Sequence, residues 1–155
     1  MKNICLISDL HDWHSKQIES ALKLKGYTVI ICKFADIKIE ILKSKKLILI
    51  NEKVINIHAV WVRFIGQGSL EEITFKLSVL HLFNDMSIYV HNSPSVIEKT
   101  VDKFRTSSIL KINKINTPST WIFLKKKEFL KKAKKLIQQK YTLLCKPLFG
   151  SQGNG

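Results

Sequence analysis

The chain has 155 residues, is 45% hydrophobic and carries a formal net charge of +14. That length and apolar content suit one good core, or one domain and part of another. No run approaches the roughly 18 uninterrupted apolar residues of a membrane helix. Asp9 also cuts the apolar start too early for a signal peptide, so the expected compartment is cytoplasmic, with no membrane partner.

The charge does not by itself read as a nucleic-acid surface. Only two of the 26 Lys+Arg residues are arginines, Arg63 and Arg105. Arginine is the residue suited to forked contacts with phosphate and guanine. A basic balance still helps gather a small polyanion. The cysteines, Cys5, Cys32 and Cys145, sit in apolar runs, too few and too widely spaced for a disulfide framework or a zinc pattern. All three are expected to be buried, reduced thiols.

In chain order, "NICLIS" (3–8) reads as a buried strand. "HDWHSKQIESALKLKG" reads as a helix with Ile18, Ala21 and Leu22 on one face and Gly26 just past its end. "YTVIICKF" (27–34) is a second strand, and a β–α–β opening points to a parallel sheet. "KKLILINEKVINI" (45–57) reads as two short strands around Asn51-Glu52, and "HAVWVRFI" (58–65) as another strand. A helix follows, with Ser69 and Glu72 as a capping box and Leu70, Ile73, Leu77 and Leu80 along one face. "SIYVHN" (87–92) closes this unit as a strand.

Ser93-Pro94 opens the next helix as N-cap and first residue, with a break expected near Glu98–Thr100. "NTPST" (116–120) reads as a linker-like turn. Strand "WIFL" (121–124), helix "KKEFLKKAKKLIQQK" (126–140) and strand "TLLCK" (142–146) then follow. In that helix Phe129, Leu130, Ala133, Leu136 and Ile137 share a face, leaving the lysines as a solvated back. The division expected is an α/β domain over 1–92, then a helical bridge and the start of a second α/β unit over 93–155.

Three stretches could carry chemistry. "RFIGQGSLEE" fails the dinucleotide fingerprint, because Glu71 stands where the third glycine belongs. It is either a capping turn or a ligand-facing turn at a strand's carboxyl end. "HDWH" brings His11 and His14 near Asp9 and Asp12, but no distant Cys or His completes a metal site. A loop and helix cap, with Asp12 as a first-turn acid, is the better reading. "CKPLFGSQGNG" places Lys146 at a strand end before a loop whose glycines allow close backbone approach. That loop is either an anion nest with Ser151 and Gln152 as added donors or a plain hairpin tip.

In order and spacing, "VWVRFIGQGSLEEITFKLSVLHLF", "NSPSVIEKTVDKFRTSSILKINKINTPST" and "LLCKPLFGSQGNG" resemble the ATP-grasp carboxylate–amine ligases, most closely the RimK-type α-L-glutamate ligases. The likeness covers residues 58–155 well and the first 57 only in their β–α–β pattern. It implies an α/β fold: a Rossmann-like pre-ATP-grasp domain followed by the start of an ATP-grasp domain. It further implies that Lys103 and Lys146 contact ATP. Gly150, Ser151, Gln152 and Gly153 would fold over its β- and γ-phosphates. Arg63, Gly66, Gly68 and Ser69 would face the cleft.

In such ligases ATP phosphorylates a carboxylate and an amine attacks the acylphosphate, so the protein mainly positions groups and neutralises charge. The implied partners are ATP, a glutamate-like amino acid and an acceptor. Family members continue past the glycine-rich flap with their Mg²⁺ ligands. The resemblance therefore implies the N-terminal part of a longer ligase, without metal ligands or catalytic residues of its own, feeble toward ATP alone. A basic, non-enzymatic module for RNA or another polyanion is the reading from another class. A ligase making a D-alanine, lysine-biosynthetic or glutathione-type product is a third.

Overall fold

The β-branched apolar runs at the start form the strands of a parallel sheet. In the computed structural model, which describes residues 2–148, β1 (Asn3–Ser8), β2 (Thr28–Cys32), β6 (Ala59–Phe64) and β7 (Tyr89–His91) lie in the order β2-β1-β6-β7. All three pairings are parallel. Parallel strands need crossovers; α1 (Trp13–Leu24) supplies one and α2 (Leu70–Asp85) another. Cys5, Leu6, Ile7, Val60, Leu80 and Phe83 are fully or almost fully buried and form the centre of the core.

A second sheet is antiparallel, in the order β3 (Ile37–Ile41), β4 (Lys46–Ile50), β5 (Lys53–Val54). Asn51 and Glu52 link β4 to β5 at φ of 49° and 63°, the left-handed pair that a two-residue hairpin requires. The sequence reading contained β4 and β5 but not β3. "IKIEI" alternates like a half-buried strand, yet lysine-rich flanks hide so short a signal.

Four helices end alike. Gly26, Ser87, Lys114 and Lys140 each take a positive φ. The next residue's N–H then returns to a carbonyl five positions back, as Ile88 N–H does to Phe83 at 2.9 Å and Tyr27 N–H to Leu22 at 3.2 Å. This Schellman closure satisfies orphan carbonyls, and only after α1 does glycine provide it.

The chain divides into two compact units, Met1–Glu98 and Lys99–Gly155. Helix α3 (Pro94–Val101) begins at Pro94 as expected. The break expected near Glu98–Thr100 falls instead at Asp102. Its extended backbone ends α3, and its carboxylate accepts the Arg105 N–H at 2.9 Å to cap α4 (Lys103–Ile112). Thr106 Oγ1 spans the kink, donating to the carbonyls of Lys99 and Asp102.

Several expectations fail for physical reasons. Segments 121–124 and 142–146 are not strands, because neither has a ladder partner among the described residues. Residues 121–123 pack instead on α5 (Lys126–Gln138): Phe123 meets Phe129 edge-on at 6.1 Å, and Lys132 Nζ sits 5.1 Å from the Trp121 ring. Cys145, without a sheet to bury it, is exposed. Leu70, Leu130 and Ile137 are also exposed, so the shared faces read for α2 and α5 are only partly covered. In α1 the covered positions are Ser15 and Leu22, and Ala21 faces solvent.

Cys5 and Cys32 are buried as expected, with Sγ atoms 3.3 Å apart on neighbouring strands. The Cys32 thiol and burial together hold Cys5 protonated, far above the usual thiol range.

Candidate functional site

Ligand sites of parallel α/β sheets gather at the carboxyl ends of the strands. Here those ends carry a polar network in unit Met1–Glu98. Strands β1 and β6 run in register until Ile7↔Val62, after which Ser8 pairs with Phe64, so Arg63 has no ladder partner. The resulting bulge changes where its side chain points. Arg63 Nη2 donates to Asp12 Oδ2 at 2.8 Å, both groups part-buried. One donor of the guanidinium is thereby engaged, and the side chain is still 22% exposed.

Asp12 stands at the N-cap of α1, not in its first turn as read from the sequence. Its Oδ1 accepts from the Ser15 N–H and the Ser15 hydroxyl, each at 2.8 Å. The Ser15 N–H, helped by the Arg63 charge, lowers the carboxyl to about 2. Ser15 is itself fully buried and also reaches Ser8 Oγ and the Leu10 carbonyl. His14 Nδ1 lies 3.4 Å from Asp12 Oδ2.

Asp9 is the second anchor. Its Oδ2 accepts the Gly66 N–H at 2.6 Å and its Oδ1 the Phe34 N–H at 3.2 Å, tying the segments that follow β6 and β2 to the end of β1. A Cβ at position 66 would collide with the Asp9 carboxylate, which explains the glycine there. Lys76 reaches back from α2: its Nζ is 3.7 Å from Asp9 Oδ2 and donates to the carbonyls of Gly66 at 3.1 Å and Gln67 at 3.4 Å. Gly68 leads into the capping box, in which Ser69 N–H donates to Glu72 Oε2 at 2.7 Å and Glu72 N–H to Ser69 Oγ at 3.2 Å. Arg63, Gly66, Gly68 and Ser69 therefore belong to one braced strand-to-helix turn.

The roles of Asp9 and Lys76 were missed in the sequence. Asp9 was visible as the first acid after a buried strand. Lys76, three residues beyond Ile73 within an otherwise apolar stripe, was the other signal. The metal alternative around His11 and His14 is not assembled: Asp9 and Asp12 are engaged as above. Among the described residues, no group of three His, Cys, Asp or Glu could hold an ion.

In unit Lys99–Gly155, Lys103 is the first residue of α4. Its backbone N–H donates to the Leu148 carbonyl at 3.2 Å, so the start of α4 meets the segment that carries Lys146. Lys146 is exposed and Lys103 half-buried. Gly150, Ser151, Gln152 and Gly153 lie outside the described residues.

No family model matches the chain. The curated relatives include the tetrahydromethanopterin:alpha-L-glutamate ligase of Methanococcus maripaludis, 28% identical over 156 residues, covering 97% of this chain and 49% of the relative. The ligase of the same name from Methanosarcina acetivorans is 28% identical over 126 residues, covering 77% and 39%.

Among solved structures, the RimK domain protein ATP-grasp from Sphaerobacter thermophilus has a TM-score of 0.64 at 13% identity, covering 86% of this chain and 46% of that one. The ATP-grasp ligase PsnB, complexed with a minimal precursor, has 0.67 at 13%, covering 98% and 55%. A Chryseobacterium gregarium RiPP-associated ATP-grasp ligase, in complex with ADP and a leader and core peptide, has 0.57 at 18%, covering 90% and 48%.

The fold is thus shared with about half the length of these ATP-grasp ligases. In sequence, both of the curated relatives named above are tetrahydromethanopterin:alpha-L-glutamate ligases. The chain spans about half the length of the curated relative that it matches over most of its own residues.

Proposed function

We propose that these residues form the N-terminal part of an ATP-dependent carboxylate–amine ligase that adds glutamate to an acceptor through an acylphosphate. In this reading 1–92 is the pre-ATP-grasp domain and 93–155 the bridge and start of the grasp domain. Lys103 and Lys146 hold the nucleotide phosphates as ammonium donors. Gly150, Ser151, Gln152 and Gly153 supply backbone N–H groups above them. Arg63, on the turn through Gly66, Gly68 and Ser69, meets a substrate carboxylate with the donors that Asp12 leaves. ATP supplies the phosphoryl group that activates the carboxylate. Mg²⁺, where it accompanies ATP, uses ligands outside these residues. The compartment proposed is the cytoplasm.

The observation that supports the nucleotide assignment is the Lys103 N–H to Leu148 C=O bond. It joins the start of α4 to the segment entering the glycine-rich stretch, as shared phosphate binding by Lys103 and Lys146 would need. The test is ATP calorimetry on a ligase of the relatives' full length that carries these residues. Lys103→Met and Lys146→Met should each weaken binding at least tenfold, since a charge-assisted contact of about 1.5–3 kcal/mol is lost. Unchanged affinity in both variants would overturn the assignment.

A further inference from the structure

The opposite ends of the same strands border a cleft of about 730 Å³. Ile4 lines it at the start of β1 and Ile88 just before β7; Ile48 and Ile57 come from β4 and from the segment before β6. Asp9, at the candidate site, is about 17 Å from Ile4 along β1 at roughly 3.3 Å per residue. The cleft is therefore a separate place on the molecule, and its use does not depend on the ligase reading.

Its floor and rim differ in chemistry. Ile4, Ile48, Ile57 and Ile88 are at most 9% exposed and close its floor from behind, while Tyr27, Leu47, Val54, Ile55 and Met86 keep accessible apolar surface along its walls. Lys2, Lys46 and His58 are exposed and also line the cleft. His58 Nδ1 accepts the Asn3 N–H at 3.1 Å, so the neutral ring carries its proton on Nε2 as a donor. Among the described lining residues none is Asp or Glu. Pockets of about 300–1,000 Å³ with apolar walls and a few placed polar groups are the common form of small-molecule sites.

We propose that this cleft binds an amphipathic organic monoanion, its apolar body against Tyr27, Leu47, Val54, Ile55 and Met86 above the isoleucines and its carboxylate at the lysines of the rim. Burial of the apolar body drives binding, and the rim selects for charge.

The test titrates the full 155-residue chain, with isoleucine methyl groups labelled, against decanoate and follows the methyl NMR spectrum. Saturable shifts are expected at Ile4, Ile48, Ile57 and Ile88, with Ile122 and Ile137 unmoved. Decanol should bind at least tenfold more weakly than decanoate. Lys2→Glu/Lys46→Glu should cost decanoate at least tenfold while the ligand-free spectrum is unchanged. If that double variant does not fold, Lys46→Gln makes the same comparison, with at least a threefold loss expected. Shifts absent from the four cleft isoleucines, or equal affinity for acid and alcohol, would overturn the proposal.

Discussion

The Gly66 N–H donates to Asp9 Oδ2 at 2.6 Å, joining the turn after β6 to the end of β1 across 57 residues of sequence. The same carboxylate takes the Phe34 N–H, so three neighbouring strands of the parallel sheet, β2, β1 and β6, are tied at their carboxyl ends by one side chain. Asp9→Ala should cost about 2 kcal/mol, the scale of hydrogen bonds to a charged group. Gly66→Ala should also destabilise, because its methyl group meets that carboxylate. The double variant should lose less than the sum of the two, since the clash disappears with the carboxylate. Urea unfolding measures all three, and strict additivity would contradict the contact.

Lys76→Met retains the stem of the side chain and removes the ammonium beside Asp9. The carbonyls of Gly66 and Gln67 lose their donor as well. A loss of about 1–2 kcal/mol is expected, read from the unfolding midpoint. Lys76→Arg should recover part of it. Equal stability of wild type and Lys76→Met would show that the turn needs no brace from α2.

Asp12 makes stability depend on acid. Its folded pKa, near 2, lies below the roughly 3.9 of an unfolded aspartate. The stabilisation from its ionised form is therefore complete above about pH 4 and is lost as pH falls toward 2. Between those values wild type should lose stability faster than Asp12→Asn, which keeps an N-cap side chain. Unfolding midpoints at successive pH values provide the measurement, and parallel curves would refute it.

Ser69→Ala removes the hydroxyl that accepts the Glu72 N–H. A cost of about 1 kcal/mol is expected by thermal unfolding, with Ser69→Asp close to wild type. Because the cap also fixes where the glycine turn enters α2, amide shifts at Gln67 and Gly68 should move with Ser69→Ala. An unchanged melting temperature would show that the turn is held by Asp9 and Lys76 alone.

Much of unit Met1–Glu98 was legible because its signals are local. The β-branched runs of β1 and β6, the Ser69/Glu72 box and the glycine after α1 each act within a few residues. β3 was not legible, since its pattern lasts five residues and its partner fixes it. The strands read at 121–124 and 142–146 failed for the complementary reason: apolar, β-prone sequence forms a ladder only against a neighbour.

From the sequence came the β–α–β order, the Ser69/Glu72 cap, the glycine after α1 and the likeness to ATP-grasp ligases, because residue identity, spacing and backbone preference suffice for these. Tertiary structure alone decided that Arg63 meets Asp12 through a bulge, and that Asp9 and Lys76 brace the glycine turn. Such contacts join residues distant in the chain, and their distances depend on how the strands register and how the helix packs.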